Sequence, residues 1–549
     1  YFAAPYDYSH RLMGDDGRSR AVIDASALAG KVHMVEDDTR THLHAVDEYA
    51  RTPSAAATVA AMRRMTGTAL IHRTALWWCD FGSAGNGGWY DDPMLIGEVA
   101  RLHQLASRRL KQDTRRAAQV LLVADPQGCY YLGDGAAMRT HYALVDQVTG
   151  VLHRTGAPFD FVLLPQLENL DVRPYRVIVW LGCLKVRPEL REKVRAASQG
   201  RSVVWLWAPG ITDGTQFGPE RVRDLTGFAV ALNGQGMVAS EAVISAEDPL
   251  TAGLPTVSTD SLEVAKSEPL AGWTDTAAWF NPRTPAEMQR YQKHEVRSAE
   301  GGIDWLVATS DPWSDVHLRV SVAACQGLGL KVGGDGALAG ASLRVVLKDR
   351  DQAEYVSVSL PLQAKPAEHR LALSGFVKAP WYRGKSTELT LPLTGMKFVV
   401  DGLGGGRAGT LRIRDLAALQ GRSLRQSHRV WPGPGEAQPC LTLPVQPGVT
   451  ILARCPGAGD GLVAVGGQAG QRRLFSALAT LPLPVIRALC EEAGVHRYVA
   501  RPDVLVQADS GLLMLHTATG GPCTVRLPRP ERLVDAITGK VVGEGRQIE

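Results

Sequence analysis

The sequence predicts a multidomain α/β plus β protein, and three observations carry that prediction. Through the first 260 residues, strand-sized apolar runs alternate with amphipathic helices. From about 261 to 428 helical periodicity gives way to short alternating strands separated by Gly- and Pro-containing turns. After that, βα character returns. At roughly 150 residues per domain, 549 residues allow three or four domains.

In residues 1–116, Gly30-Lys31-Val32-His33-Met34-Val35 reads as a strand running into the polar stretch Glu36 to His42. Ser54 caps a helix to Met65, with Ala57, Val59, Ala61 and Met62 along it. Thr74 to Cys79 is the next strand and Asp80 to Tyr90 a glycine-rich loop. Pro93 then opens a helix whose Leu95, Val99, Leu102 and Leu105 recur at helical spacing. Strand, polar loop and helix, repeated, predict a parallel sheet.

Residues 117–260 form a second βα series. Val120–Val123, Phe161–Leu164, Val177–Trp180 and Val203–Leu206 are the strands, and His141–His153 and Pro188–Ser198 the helices. Uninterrupted apolar strands between helices predict a doubly wound open sheet. Residues 261–428 predict a jelly-roll-like β-sandwich. Residues 429–498 are too few for a domain of their own, so the sandwich is expected as an insertion in the doubly wound domain, which resumes after it. Residues 499–549 predict a small antiparallel β domain.

Composition narrows function by exclusion. An apolar fraction of 45% and a charged fraction of 21% exclude wholesale disorder and a disulfide scaffold. Sixty basic against 56 acidic residues leave +4, which implies neither a nucleic-acid nor a membrane partner, and no apolar run is long enough to span a bilayer. The eight cysteines show no CxxC and read as buried small hydrophobes; the fourteen histidines show no HExxH. No metal and no cofactor is expected. The start at Tyr1 lacks the features of a signal peptide, and an upstream segment is expected.

Two segments carry a resemblance: Gly30 to Leu43, GKVHMVEDDTRTHL, and Ala75 to Pro93, ALWWCDFGSAGNGGWYDDP. They resemble the last third of a catalytic (β/α)8 barrel in glycoside hydrolases similar to the family 42 β-galactosidases. VVWLWAPGITDG at 203–214, VRDLTG at 222–227 and PLPVIRALCEEAGVHRY at 482–498 resemble that family's trimerisation domain, a relative of glutamine amidotransferases. The resemblance implies that 1–116 is the C-terminal part of a barrel and that the enzyme retains configuration on β-galactosides or related sugars. It also implies homo-oligomers, trimers included, and an acid/base Glu upstream of Tyr1. The sandwich lies outside the resemblance.

Retaining hydrolysis needs two carboxyls about 5–5.5 Å apart. Glu36 suits the nucleophile, ending a strand at the barrel face where active sites are built. Arg40 would keep its carboxylate ionised, and Asp37 and Asp38 compete as sugar-hydroxyl acceptors or as partners of Arg40 and His42. From the residues alone, a solvated loop with internal salt bridges is the commoner outcome, since polar strand ends are common. Trp77 and Trp78 point to opposite faces, so at most one lines the barrel mouth as a sugar floor. Asp80, Trp89 and Tyr90 in the following loop are further substrate-binding candidates. The competing reading is a non-catalytic carbohydrate-binding or assembly protein on a degenerate barrel remnant. Cys183 is not expected to be an amidotransferase nucleophile: the elbow position falls at Trp207-Ala208-Pro209-Gly210, which has no thiol. In the sandwich, Trp305 is expected in the core, and Trp313, Trp381 and Tyr382 are candidate stacking faces.

Overall fold

The computed structural model describes all residues except 47, 81, 83–87, 113, 132–135, 239–240, 288–291, 312, 339–340, 380–387, 404–407, 434–436 and 456–460. Trp381 and Tyr382 lie outside the described residues. The protein is a strand-rich mixed α/β molecule with several sheets.

The first 116 residues hold three parallel strands, β1 (Phe2–Pro5), β2 (His33–Asp37) and β3 (Ala75–Trp78), in that order. Each is followed by a helix: α1 (Ile23–Leu28), α2 (Ala55–Ile71) and α3 (Pro93–Arg109). The Ser54 side chain accepts the Ala57 amide at the start of α2. Asp92 accepts those of Met94 and Leu95 at the start of α3, where Pro93 supplies a preset φ. Helix α2 runs six residues past Met65, because its second half is buried on several sides. Met65 packs on Val35 and Tyr6, and Gly67 lies so close to Met514 that a Cβ there would come within 2.8 Å of its side chain.

The second βα series makes an open sheet. Strands β4 (Val120–Ala124), β5 (Phe159–Leu163), β6 (Val177–Leu181) and β7 (Ser202–Leu206) are parallel in the order β5-β4-β6-β7. Arg473–Ser476 then pairs parallel to β7, so the sheet is continued by residues some 270 positions later in the chain. The sheet goes on through antiparallel strands Gly461–Gly466, Val449–Arg454 and Glu241–Ile244. Helices α4 (Ala136–His153), α5 (Pro188–Ser198) and α6 (Pro219–Thr226) and the helix Leu483–Glu492 accompany the sheet over a single large apolar core.

Between these strands the chain makes a two-sheet sandwich. Its entry and exit form one long antiparallel ribbon, Thr256–Pro269 against Ala408–Pro432. The second of these runs without a break from the sandwich into the open sheet, where Val430 pairs with Val243. Trp305, Leu411, Ile413 and Leu416 are buried in the sandwich core. Leu411 and Ile413 have the parity of one strand face and Leu416 that of the other. All three turn inward because Asp415, at φ 53°, sits in a bulge where two residues oppose one. The last fifty residues form two hairpins, Leu505–Ala508 with Leu513–His516 and Val525–Val534 with Val541–Ile548.

Of the seven cysteines described, all are free thiols. Cys183, Cys325 and Cys490 are buried, whereas Cys79, Cys129, Cys455 and Cys523 are half exposed, which corrects the expectation of uniform burial. Among the described residues no helix is long and apolar enough to cross a membrane.

Candidate functional site at the carboxyl end of the three-stranded sheet

Register decides which side chains share a face. Pro5, Glu36 and Trp77 are neighbours across the three strands, and so are Asp37 and Trp78 in the next row. Side chains alternate along a strand, so Glu36 and Trp77 lie on one face, with Asp37 and Trp78 on the other. The opposite face is the helix side: Val35 and Asp37 are buried there, and Val35 packs against Met65 of α2.

Glu36 is half-buried at the carboxyl end of the middle strand. Trp77 beside it is 39% exposed. Beyond the strand ends, Cys79 continues the same face. Its backbone N–H donates to the Asp37 carbonyl at 2.9 Å. Its thiol is pushed up first by burial and then by the charge of the Glu36 carboxylate that it faces.

Asp38, two residues after Glu36, is buried and paired with the buried guanidinium of Arg11. Arg11 also donates to the carbonyls of Asp38 at 2.8 Å and Tyr6 at 2.7 Å, which ties the loop after β1 to the end of β2. The sequence reading passed over Arg11. Only its place in the loop after β1, the strand beside β2, brings it here, and no spacing in the sequence signals that.

Four of the expected site residues turn to other partners than Glu36 in this geometry. Arg40 does not reach Glu36: it pairs with Glu48 at 3.3 Å and donates to the Tyr49 carbonyl at 2.8 Å. Asp37 is fully buried on the helix side. It accepts from the Thr39 amide at 3.1 Å and the Thr39 hydroxyl at 2.5 Å, and burial raises its pKa. Trp78 packs against His103, ring centroids 4.9 Å apart, in the layer between β3 and α3. Tyr90 is buried in the same layer, its hydroxyl donating to the Asp37 carbonyl at 3.0 Å.

Asp80 and Trp89 lie together in the loop after β3. Asp80 is exposed and accepts the amides of Gly82 at 2.9 Å and Trp89 at 2.8 Å. Burial would raise its pKa, but those amides hold it low. Trp89 is half-buried, edge-on to His44 at 4.4 Å. Asp80 thus shapes the loop from within.

At the second βα unit, Trp207 follows β7 at φ 67°, a left-handed conformation for a bulky residue and the kind of strained turn that displays a nucleophile in other proteins. Here the side chain is a fully buried indole. Cys183 is buried too, its thiol donating to the Val123 carbonyl at 3.5 Å, and burial pushes its pKa well up, against thiolate chemistry. Among the described residues no group of three or more His, Cys, Asp or Glu is placed to hold a metal ion.

No protein-family model and no curated protein matches the sequence. Among solved structures the chain is similar to a β-galactosidase from Bacillus circulans sp. alkalophilus. That match has 12% identity and a TM-score of 0.37, and covers 94% of this chain and 58% of that one. Gan42B, a GH42 β-galactosidase from G. stearothermophilus, is similar at 12% identity and TM-score 0.41, over 96% of this chain and 54% of that one. A family 11 carbohydrate-binding module from Clostridium thermocellum matches 34% of this chain and 96% of its own, at 10% identity and TM-score 0.20. The chain therefore spans little more than half the length of these β-galactosidases, and all three likenesses are distant.

Proposed function

We propose that residues 1–116 are the C-terminal part of a (β/α)8 catalytic barrel in a retaining glycoside hydrolase acting on β-galactosides or related sugars, with Glu36 as nucleophile. The observation that carries this reading is the row Pro5–Glu36–Trp77. It sets a half-buried carboxylate beside an exposed indole at the carboxyl end of a parallel strand. The indole stacks on the C–H face of a sugar while the Glu36 carboxylate attacks the anomeric carbon. A glycosyl–enzyme ester forms, and the glycosidic oxygen leaves with a proton from a second carboxyl. Water then hydrolyses the ester with that same group as base.

The second carboxyl is proposed to come from outside these 549 residues, since the acids around Glu36 are otherwise engaged. Asp38 is held by Arg11, Asp80 by loop amides, and Asp37 faces the helices. Trapping the full-length protein with a 2-fluorogalactoside and mapping the labelled peptide tests the assignment. The expected label is on Glu36, and Glu36→Gln lowers kcat about 10³-fold or more. A label on any other residue overturns the assignment. Sugar binding with no label at all would fit a non-catalytic carbohydrate-binding protein.

The doubly wound unit is proposed as an assembly module without chemistry of its own, on the buried Cys183 and the indole at position 207. Light scattering at micromolar concentration should find an oligomer, and a clean monomer would refute the proposal. The sandwich is proposed as a spacer with weak or no sugar affinity. Trp305 is in its core, and Trp313 is half-buried under the Arg283 guanidinium, 4.5 Å from its ring centroid. Tight binding of galactosides by the sandwich would contradict this.

A further inference from the structure

Three guanidinium groups converge on one ring at the edge of the proposed site. Arg11 lies 4.1 Å, Arg20 4.2 Å and Arg40 5.5 Å from the centroid of Tyr8. Two of them carry their own counter-ion, Arg11 with Asp38 and Arg40 with Glu48. The third has none. Among the described residues Arg20 has no carboxylate within ion-pair distance and no side-chain hydrogen bond, only the face of Tyr8. Asp7, the acid that feels its charge, accepts instead from the Ser9 amide at 2.8 Å and faces the His10 ring nitrogen at 3.2 Å.

The position is close to the proposed nucleophile. The Arg20 backbone N–H donates to the Pro5 carbonyl at 3.3 Å, and Pro5 is the register partner of Glu36. Arg20 is exposed and lines, with Asp7 and Ser19 of the loop after β1, a cleft of about 850 Å³ that reaches Tyr142 and Val145 of α4, while Glu36 and Trp77 lie outside its walls. A guanidinium stacked on an aromatic ring is pre-oriented, and its planar fork matches a carboxylate or a sulfate. Among the described residues no protein group uses that fork.

We propose that Arg20 selects sugars bearing an anionic group, a carboxylate or a sulfate ester, and binds that group beside the Glu36 site. This rests on the glycosidase reading above. No bond is made or broken by Arg20, which pairs with the anion and positions the ring that carries it.

The test compares the full-length protein with its Arg20→Met and Arg20→Lys variants. Initial rates are measured on nitrophenyl β-galactoside, β-galacturonide and 6-sulfated β-galactoside. In parallel, the 549-residue chain is titrated with galacturonate and galactose 6-sulfate. The wild type is expected to favour at least one anionic glycoside over the neutral one. Arg20→Met should lower that ratio of kcat/KM about tenfold or more, chiefly through KM, and Arg20→Lys should restore part of it. Which anionic glycoside responds decides between carboxylate and sulfate. A wild type that favours the neutral sugar, or a ratio indifferent to Arg20→Met, overturns the proposal. Arg20-dependent anion binding without turnover of any glycoside would sink the glycosidase reading and uphold this one. Turnover with anion binding indifferent to Arg20 would do the reverse.

Discussion

The buried pair Arg11–Asp38 joins the loop after one strand to the end of the next, and both groups are nearly inaccessible to water. Removing one partner leaves an uncompensated buried charge, which costs about 3–5 kcal/mol. Arg11→Met should therefore lower the urea midpoint sharply and reduce activity with it, whereas Arg40→Met, whose pair is partly exposed, should shift stability by less than about 1 kcal/mol. The two adjacent indoles should separate cleanly. Trp78→Ala opens a hole in the layer between β3 and α3 and should cost about 2 kcal/mol or more. Trp77→Ala should stay within about 0.5 kcal/mol in the same denaturation, and weaken sugar binding instead. Equal stability losses for both would contradict the face assignment.

The starts of α2 and α3 are written locally. Ser54 and Asp92 each satisfy amides that the first helical turn leaves without a partner. Ser54→Ala and Asp92→Ala should each cost about 1 kcal/mol in thermal unfolding, with neither altering substrate preference. The far end of α2 is a different matter. Nothing in Thr66 to Ile71 announces a continuing helix; those residues stay helical because tertiary packing buries most of them, with Met514 of the Leu513–His516 strand lying against Gly67. The sandwich shows the same division. Alternation of apolar residues is visible along 411–416, but the bulge at Asp415 that turns Leu416 inward is set by the opposing strand Gly327–Gly334.

Three parts of the chain meet at His72. Its Nδ1 faces Asp24 of α1 at 2.8 Å and its Nε2 faces Gln507 Oε1, from the first C-terminal hairpin, at 3.0 Å. Arg116 reaches Asp24 at 3.5 Å and Asp160 of β5 at 3.1 Å, and Tyr175 donates to Asp160 at 2.6 Å. Burial alone would push His72 down, but the Asp24 carboxylate beside it holds its pKa above the ordinary 6.5. A group raised on folding adds stability that is complete below its unfolded pKa and is lost as pH rises through its folded pKa. His153, at the same junction, is pushed down by burial to about 4, so its contribution is present above 6.5 and fades as pH falls towards 4. The melting temperature should therefore fall on both sides of a maximum. His72→Gln should flatten the alkaline limb and leave the acid limb in place; an unchanged alkaline limb would remove His72 from the account.

Much of the fold is legible along the chain because strand and helix periodicities are local. The apolar runs of β4, β6 and β7, the caps at Ser54 and Asp92, and the change from helices to alternating strands after residue 260 all follow from neighbours a few positions apart. The place of Glu36 near the end of an apolar strand is legible in the same way. Its surroundings are not. Arg40 is four residues away in sequence yet turns to Glu48, while Arg11, 25 residues upstream, holds Asp38. Nor does the local pattern say which of Trp77 and Trp78 faces the site, because alternation separates two faces without naming them. That choice is made when α2 and α3 cover one face of the sheet and leave Glu36 and Trp77 on the other. Ion pairing and face selection depend on contacts between distant segments, and those arise only once the strands are in register.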